Sequence, residues 1–370
     1  MTHTQLLDAK GNVPVPPTAH ELRWQSRVES GEAKARYDAL VQRRAMSLDD
    51  KIALSMERIV EFGEAFDWHV ASSYSGGLDS TVMIDIIERV RPGLPRVFCN
   101  TGLEYPEINR QVARTDNVVV MRPRMPFHRV VQDKGWPIAS KRTARGLNVL
   151  RNPTGNNQNI YRLYDIGINR FGKKVAGFKV AQQWRFLLDA PFRISDECCG
   201  IMKKEPMHRY ERETGRVQFV GILAEESKGR EKAYAEHGCN AFDLKSPRSW
   251  PLAFWTRQDI LEYILRYGLR YADVYGDIVE TPDGLDTSGV KRTGCVFCLF
   301  GMQMETGMNR IQRLAQTHPK LWDYCMTKLG MGDVLQYMRD NARPGLAAKF
   351  NAVPDMADTQ LRLPGVEVAA

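Results

Sequence analysis

The segment SGGLDST, Ser75 to Thr81, constrains the fold of this 370-residue chain more than any other part of the sequence. It lies between a strand-like run that ends at Tyr74 and a helix-like run from Ser80 to Val90. Two adjacent glycines allow a sharp turn that brings backbone N–H groups close to an anion. The helix that begins there adds the positive end of its dipole. The segment therefore predicts a strand–turn–helix unit whose turn holds a phosphate group.

The side chains of this turn support the same prediction. Hydroxyl groups and a nest of N–H groups bind phosphate oxygens without a lysine, and the lysine of a Walker A loop is absent here. Asp79 would hold Mg²⁺ or orient the turn. The alternative is a plain glycine-rich turn with a Ser/Asp helix cap. The predicted binding residues are Ser75, Gly76, Gly77, Asp79, Ser80 and Thr81.

Strand-like and helix-like segments alternate through the middle of the chain. This alternation predicts an α/β fold, with a Rossmann-like, mostly parallel sheet and helices on both faces. A charged helical extension, about residues 19–65, precedes the sheet, and turn signals predict a long loop at 270–294. We predict strands at 69–74, 96–99, 117–121 and 217–223, and helices at 80–90, 106–114 and 256–267.

Polar segments follow three of the predicted strands, at residues 100–107, 122–124 and 225–230. The carboxyl ends of parallel strands share one edge of the sheet, where ligands bind. We therefore expect these segments and the glycine-rich turn to form one site.

Several of these segments resemble a known family. SGGLDST matches the SGGxDS signature of the PP-loop proteins, which include ATP pyrophosphatases and phosphoadenosine-phosphosulfate (PAPS) reductases. TGLEYPE, GILAEESKGR and WPLAFWTRQDILEYI resemble three further PAPS reductase segments. The resemblance covers about residues 71 to 324, interrupted by a basic segment. It implies an adenine nucleotide α-hydrolase-like fold that binds ATP or an adenylyl sulfate (APS or PAPS).

This resemblance suggests roles for individual residues. Charge that develops on phosphate or sulfate oxygens needs donors and cations already in place, so Asp79, Lys141 and Arg230 are the candidate catalytic residues. Glu104 and Glu226 would orient Mg²⁺ or the ribose, the alternative being capping or ion pairing. Beyond the turn, the candidate nucleotide-binding residues are Thr101, Gly102, Glu104, Arg142, Glu226 and Ser227.

Four of the seven cysteines form close pairs, Cys198-Cys199 and Cys295-x-x-Cys298. An odd total with tight pairs favours metal ligation in a reducing compartment, and hence the cytoplasm, over disulfides. Four thiolates suit a 4Fe–4S cluster, with zinc or free core thiols as alternatives. Cys239 is a fifth candidate ligand.

The neighbours of the first pair leave the cluster question open. CCGIMKKEPM resembles the CCxxRKxxP element of cluster-bearing adenylyl-sulfate reductases. Met202, however, stands where arginine is usual, and IMKKEPM is equally similar to the cluster-free PAPS reductases. The second pair, in RTGCVFCLFG, favours a cluster.

One element of the family is missing. PAPS reductases that use thioredoxin carry a catalytic cysteine in a C-terminal Glu-Cys-Gly-(Leu/Ile)-His element, and this chain has no cysteine after Cys325. The route through a cysteine thiosulfonate is therefore disfavoured. Adenylyl-sulfate reduction by a cluster remains one reading. ATP-dependent adenylation with sulfur transfer, as in PP-loop enzymes that modify tRNA or DNA, is the other.

Residues 141–185 hold ten Lys/Arg and one acid, a net charge of +9, so the rest of the chain sums to −1 and the whole chain to +8. Aromatic residues are interleaved with these cations, a combination typical of nucleic-acid surfaces. A nucleic acid is therefore a candidate partner of this basic insertion. Its alternative roles are to line the nucleotide pocket or simply to face solvent.

The predicted organisation has four parts: 1–66, an arm and helices; 67–270, the nucleotide-binding domain; 271–349, a cysteine-containing region; and 350–370, a tail. No apolar run reaches about eighteen residues, so we expect no membrane span. The N-terminus lacks a secretory signal pattern. A protein partner or a homo-oligomer remains open. The alternative function is a non-catalytic nucleotide-sensing regulator that works with a nucleic-acid-binding partner.

Overall fold

The computed structural model describes residues 18–353, apart from the side chains of residues 19 and 20. The chain divides into two compact units. The sheet unit contains residues 18–123 and 203–293, and the cysteine unit contains residues 124–202 and 294–353. The predicted arm up to residue 17 and the predicted tail beyond residue 353 lie outside the described residues. The four-part organisation stays a prediction.

Strands and α-helices are numbered in chain order. The strands are β1 (Val70–Tyr74), β2 (Arg96–Cys99), β3 (Val118–Met121), β4 (Ile138–Ala139), β5 (Val217–Val220), β6 (Asn240–Ala241), β7 (Arg248–Ser249), β8 (Ile278–Thr281), β9 (Gly284–Thr287) and β10 (Leu299–Phe300). The first helices are α1 (Ala19–Glu29), α2 (Glu32–Arg44), α3 (Leu48–Ala65), α4 (Leu78–Val90), α5 (Pro106–Ala113), α6 (Phe127–Asp133), α7 (Lys141–Arg151) and α8 (Gln158–Ile166). The later helices are α9 (Glu205–Thr214), α10 (Lys228–His237), α11 (Arg257–Tyr267), α12 (Arg310–Thr317), α13 (Pro319–Asp323), α14 (Met331–Asn341) and α15 (Pro344–Ala347).

The sheet unit is built on a six-stranded sheet of order β3-β2-β1-β5-β7-β6. Its neighbouring strands run parallel except for β6, which is antiparallel to β7. The chain adds β2 and β3 on one side of β1 and then returns to place β5 on the other side. This reversal creates a crevice at the carboxyl ends of β1 and β5, which is where open parallel sheets bind ligands.

Helices cover both faces of this sheet, as the alternating pattern predicts. Ala71 and Val97 form a buried cluster with Tyr210 of α9. Phe219 is paired in register with Ser72, so its side chain lies on the opposite face from Ala71. There its ring meets Phe62 of α3 at 5.2 Å between centroids. The mostly parallel α/β fold is therefore confirmed.

The helix ends follow the capping signals of the sequence. Ser47 caps α3 by accepting the Asp50 N–H group. Thr256 and Asp259 form a reciprocal capping box at the start of α11, and Gly268 ends that helix in the left-handed conformation. The charged stretch at 19–45 is broken into α1 and α2 at Gly31, which has a φ of 78°.

The prediction of a long loop at residues 270–294 was wrong in its centre. Residues Asp273–Tyr275 form a 3-10 turn, and β8 and β9 form an antiparallel hairpin around Pro282-Asp283. Both strands are short and together hold three apolar side chains, Ile278, Val279 and Leu285, so they lack the apolar alternation by which strands are recognised. The Gln258 side chain of α11 holds the hairpin through the Leu285 N–H group, at 2.7 Å.

The cysteine unit is mainly helical. Its β4 and β10 form a short parallel pair, with Leu299 opposite Ile138 and Phe300 opposite Ala139. The basic insertion lies in this unit and forms α7, α8 and a 3-10 helix, Gln182–Asp189. Among the described residues, none of the helices combines the length and apolarity needed to span a bilayer.

A buried ion pair ties α3 to α11 in the sheet unit. Lys51 Nζ lies 2.8 and 2.7 Å from the two carboxylate oxygens of Asp259, and the Lys51 side chain is 3% exposed. We predict that Lys51→Met lowers the free energy of unfolding by about 3–5 kcal/mol, because Asp259 then keeps a buried charge without its partner. Denaturant unfolding of the full chain measures this change.

Lys34→Met is the matched control, since Lys34 forms an exposed pair with Asp38 at 2.8 Å. This control should leave the unfolding midpoint unchanged. Equal losses for the two variants would contradict the role assigned to burial.

Candidate anion-binding site

The turn between β1 and α4 takes the sharp shape that its two glycines predict. Gly76 has a φ of 70°, a conformation that residues with side chains rarely adopt. A Cβ atom at Gly76 would also lie 2.9 Å from Ile108 Cγ2 of α5. Glycine is therefore required at this position by both backbone shape and space.

Hydrogen bonds inside the turn fix its shape. The Ser80 hydroxyl accepts the Ser75 N–H group at 3.2 Å and donates to the Gly77 carbonyl at 2.9 Å. The Ser75 hydroxyl accepts the Gly77 N–H group at 3.3 Å. Thr81 also donates to the Gly77 carbonyl, at 3.0 Å. The hydroxyl groups that were expected to face phosphate thus brace their own backbone.

Three backbone N–H groups of the turn are open, meaning that no described residue accepts a hydrogen bond from them. Among the described residues, the N–H groups of Gly76, Asp79 and Ser80 have no hydrogen-bond partner, and α4 has no side-chain cap because its N-cap residue is Gly77. Gly221, just after β5, faces this end of α4. A Cβ atom there would lie 3.3 Å from the Ser80 nitrogen. The absence of a side chain at Gly221 keeps that N–H group accessible.

Three arginines from separate segments act electrostatically on the Asp79 carboxylate. Burial raises the pKa of Asp79, whereas the charges of Arg257, Arg230 and Arg292 oppose that rise and the charge of Glu225 adds to it. Arg230 lies in α10, Arg257 begins α11 and Arg292 follows the hairpin. Open N–H groups next to guanidinium groups form an arrangement that suits a phosphate or sulfate.

The arginines are held by carboxylates that an anion can replace. Glu226 pairs with Arg230 and lies 3.5 Å from Arg292. Arg257 lies 3.3 Å from Asp286, and its N–H group donates to Glu225 at 2.7 Å. Arg292 is the most exposed of the three, with 69% of its side chain accessible. These ion pairs are partly accessible to solvent, which screens them, so a phosphate oxygen can replace the carboxylate.

The loop after β2 is braced by its own glutamate. Glu104 accepts the Thr101 N–H group at 3.0 Å and the Thr101 hydroxyl at 2.6 Å. Gly102 donates its N–H group to Asn100 at 3.0 Å. Ser227 caps α10 by accepting the Arg230 N–H group. The geometry therefore shows Glu104 in a capping role and Glu226 in an ion pair, and nucleotide contacts of these residues stay predictions.

Lys141 and Arg142 lie in the cysteine unit, at the first turn of α7. Both are exposed. The Arg142 guanidinium donates to the Gly177 carbonyl at 2.9 Å and lies over the Phe178 ring at 4.8 Å. Their predicted contact with phosphates stays a prediction.

Sequence reasoning missed four residues of the site: Arg257, Tyr275, Arg292 and Thr293. The Tyr275 hydroxyl and Thr293 Oγ1 lie 2.7 Å apart, and both approach the Cβ position of Gly77, at 3.2 and 3.3 Å. A weak signal existed, since Arg257 lies within WPLAFWTRQDILEYI, and Arg292 and Thr293 begin RTGCVFCLFG. No sequence pattern joins these residues to the glycine-rich turn.

Comparison with known proteins identifies the domain. The family model of the phosphoadenosine phosphosulfate reductase domain matches residues 69–141 and 161–299, more than half of the chain. The chain belongs to the phosphoadenosine phosphosulfate reductase domain family. The matched segments contain the glycine-rich turn, the three arginines and both cysteine pairs. The unmatched residues, 142–160, fall inside the basic insertion.

Other comparisons give a weaker likeness. The crystal structure of phosphoadenylyl-sulfate (PAPS) reductase from Candida auris, a phosphate complex, matches with a TM-score of 0.35 and 13% sequence identity. The match covers 70% of this chain and 91% of that chain. No curated protein matches the sequence.

The two cysteine pairs of this reductase-family domain lie in one unit, the cysteine unit. The Cys198 and Cys199 sulfur atoms are 4.0 Å apart. The Cys298 N–H group donates to the Cys295 carbonyl at 3.1 Å, which closes a tight turn with a thiol at each end. Hydrogen bonding to Cys199, burial, and the charges of Cys199, Cys298 and Cys295 raise the pKa of Cys198. The second pair therefore lies close enough for its charges to influence Cys198.

No metal site is formed by these side chains as they stand. Across residues 18–353, no group of three or more His, Cys, Asp or Glu side chains is placed to hold a metal ion. The predicted cluster and its zinc alternative stay predictions. Cys239 belongs to the sheet unit, where its buried sulfur lies 3.8 Å from the Tyr234 hydroxyl.

Some of the cations in the basic insertion form ion pairs with nearby carboxylates. Arg145 lies 3.1 Å from Asp196, and Arg185 lies 2.6 Å from Asp165. Two of its aromatic residues, Tyr164 and Trp184, are buried and cannot stack on bases. Phe171 is exposed, and the Arg170 guanidinium lies over its ring at 4.8 Å. The exposed cations are Lys141, Arg142, Arg145, Lys173, Lys174 and Lys179.

A substitution at Gly221 tests the open N–H groups. We predict that Gly221→Ala weakens binding of inorganic pyrophosphate about tenfold, because the new methyl group covers the Ser80 N–H group. Isothermal titration calorimetry on the full chain measures this change. Gly229→Ala is the control, since a Cβ atom there meets only Ser227 Oγ, at 3.9 Å. Equal weakening by both variants would contradict the assignment.

Proposed function

We propose that the chain is an adenine-nucleotide-dependent enzyme of sulfur metabolism that acts on the anhydride group of ATP or of an adenylyl sulfate. The observation that carries the proposal is the convergence of three open N–H groups and three arginines at the crevice between β1 and β5. Membership of the reductase domain family supports an adenylyl ligand.

The chemistry follows from where charge develops. In adenylation, an acceptor attacks the α-phosphorus of ATP, the bond to the β-phosphate oxygen breaks, and pyrophosphate leaves with the electron pair. In reduction, an external electron donor delivers two electrons to the sulfur of an adenylyl sulfate, the S–O bond to AMP (or, for PAPS, to its 3′-phosphate) breaks, and sulfite is released. Both leaving groups gain negative charge on oxygen. The N–H groups of the turn and Arg230 would stabilise that charge, with Lys141 and Mg²⁺ as further candidates.

The position of the last cysteine supports a route without a mobile thiol. Cys325 is the final cysteine of the sequence and is fully buried. Burial raises the pKa of its thiol to about 12, so it is a poor nucleophile at neutral pH. Sulfur transfer to an adenylated acceptor, or reduction by a cluster, fits this arrangement better than a cysteine thiosulfonate.

The two cysteine pairs are the proposed ligands of a 4Fe–4S cluster. Support comes from the donor set: four thiols in one unit, one pair adjacent and the other on a tight turn. Thiolates are the ligands that such clusters and structural zinc prefer. A bound cluster would supply electrons, whereas zinc would only hold the two pairs together. The proposed ligands are Cys198, Cys199, Cys295 and Cys298.

A nucleic acid is the proposed acceptor where the reaction is sulfur transfer. The exposed lysines of the basic insertion would neutralise backbone phosphates, and Phe171 would stack on a base. Lys173, Lys174 and Lys179 are the exposed lysines near Phe171 along the chain.

Turnover distinguishes the enzyme from a sensing regulator. The anaerobically purified chain is incubated with ATP, APS or PAPS, and AMP, pyrophosphate and sulfite are measured. Release of pyrophosphate from ATP, or of sulfite from an adenylyl sulfate, supports the proposal. Nucleotide binding without turnover supports the regulator instead. Failure to bind any of these ligands overturns both functions.

We predict that Asp79→Asn lowers kcat by at least about 100-fold while the folded structure is retained. The carboxylate is lost but the side-chain shape is kept, so the arginines around it lose their shared counter-charge. Steady-state kinetics and a melting curve measure the two effects. Glu88→Gln, on the outer part of α4 where Glu88 pairs with Arg96 at 2.8 Å, is the control. Full activity of Asp79→Asn would remove Asp79 from the catalytic residues.

We predict that Cys295→Ser abolishes the visible absorption of the anaerobically purified protein and lowers its iron content, because one of four thiolate ligands is lost. Cys239→Ser should keep both signals. A colourless wild type with stoichiometric zinc would establish the zinc alternative. An unchanged spectrum in Cys295→Ser would exclude Cys295 from the ligands.

A further inference from the structure

Tyr275 is a buried tyrosine at the base of the β8–β9 hairpin, and its hydroxyl reaches the glycine-rich turn. Its side chain is 3% exposed. The hydroxyl lies 2.7 Å from Thr293 Oγ1 and 3.2 Å from the Cβ position of Gly77. The backbone N–H group of Leu78, the first residue of α4, lies within reach of the same oxygen. A buried hydroxyl is thus placed against the glycine-rich turn, which is shaped for phosphate.

The backbone around Tyr275 is held rigidly. Its carbonyl accepts the Gly289 N–H group at 2.8 Å, and the Val274 carbonyl accepts the Val290 N–H group at 3.0 Å. Tyr271 donates its hydroxyl to the Gly276 carbonyl at 2.9 Å. These bonds fasten both ends of the hairpin segment to each other. The backbone at Tyr275 cannot move away from the turn without breaking them.

The electrostatic setting of Tyr275 agrees with this contact. Burial raises the pKa of Tyr275 to about 12, and the charge of Asp79 adds to that rise. The hydroxyl therefore stays protonated at neutral pH and serves as a neutral donor and acceptor. A neutral group beside the turn does not repel an incoming phosphate, whereas a carboxylate at this position would.

We propose that Tyr275, held by Thr293, is a positioning residue that fixes the glycine-rich turn in its anion-binding shape. The Ser75 and Gly77 N–H groups are tied inside the turn by hydroxyl groups. The Tyr275 hydroxyl faces the next one, that of Leu78. With these three groups directed inward, the N–H groups of Gly76, Asp79 and Ser80 are left for the ligand. The inference rests on the proposed function, because it assumes that this turn binds phosphate.

The test compares two tyrosines of the same segment. Tyr275→Phe and Tyr271→Phe each remove one hydroxyl and keep the ring. Binding of inorganic pyrophosphate and of ATP to the full chain is measured by isothermal titration calorimetry. We expect Tyr275→Phe to weaken both affinities about three- to tenfold, and Tyr271→Phe to change them less than about twofold.

Thr293→Val provides a second route that does not depend on the stability of Tyr275→Phe. It removes the hydroxyl that holds Tyr275 and should weaken binding by a similar factor. Both variants remove the hydrogen bond between Tyr275 and Thr293. The double variant should therefore bind pyrophosphate and ATP with the same affinity as the single variant that binds them less tightly. Melting curves confirm that each variant is folded. Hydrogen exchange of the amides in residues 75–81 should be faster in Tyr275→Phe than in Tyr271→Phe.

The outcomes separate the two proposals. Equal affinities in the wild type, Tyr275→Phe and Thr293→Val would overturn the positioning role and leave the proposed function standing. Equal weakening in Tyr271→Phe and Tyr275→Phe would also overturn it, since the effect would then belong to the segment in general. A wild type that binds neither pyrophosphate nor any adenine nucleotide would overturn the proposed function, and this inference with it.

Discussion

The hydroxyl group of Ser80 closes the turn between β1 and α4, and the remainder of the candidate site depends on the shape that it fixes. It accepts the Ser75 N–H group and donates to the Gly77 carbonyl, so both ends of the turn meet at one oxygen atom. A backbone closed in this way presents its other N–H groups outward at the start of a helix, where partial positive charge accumulates. Because the turn is already ordered, an anion that binds does not have to supply the free energy needed to order it.

The sheet topology decides what surrounds this turn. The order of the strands places β5 directly beside β1, so the chain after β5 leaves the sheet next to the glycine-rich turn. Because Gly221 has no side chain, the backbone after β5 passes close to the start of α4. The following helix, α10, supplies Arg230. Two further arginines arrive from the start of α11 and from the end of the hairpin segment. A reductase-family domain thus gathers its cations from separate segments around one carboxylate, Asp79.

Much of the fold was predictable because its signals are local. The strands and helices around the sheet follow apolar periodicity, and α3 and α11 begin at the capping residues that the sequence shows. The hairpin at 278–287 was missed because its strands are short and hold few apolar side chains, and therefore carry no apolar alternation. Its role in holding Tyr275 depends on hydrogen bonds between residues that are distant in sequence.

The sequence by itself determined the glycine-rich turn, the mostly parallel α/β fold and the family, because each depends on short contiguous patterns. Only the tertiary structure decided which way the polar groups of the turn point. Ser80, Thr81 and Glu104 bond to their own backbone, whereas Arg257, Arg292, Tyr275 and Thr293 reach the turn from other segments. The physical reason is that a hydroxyl or carboxylate takes the nearest donor or acceptor that packing offers, and packing is set by the whole sheet unit.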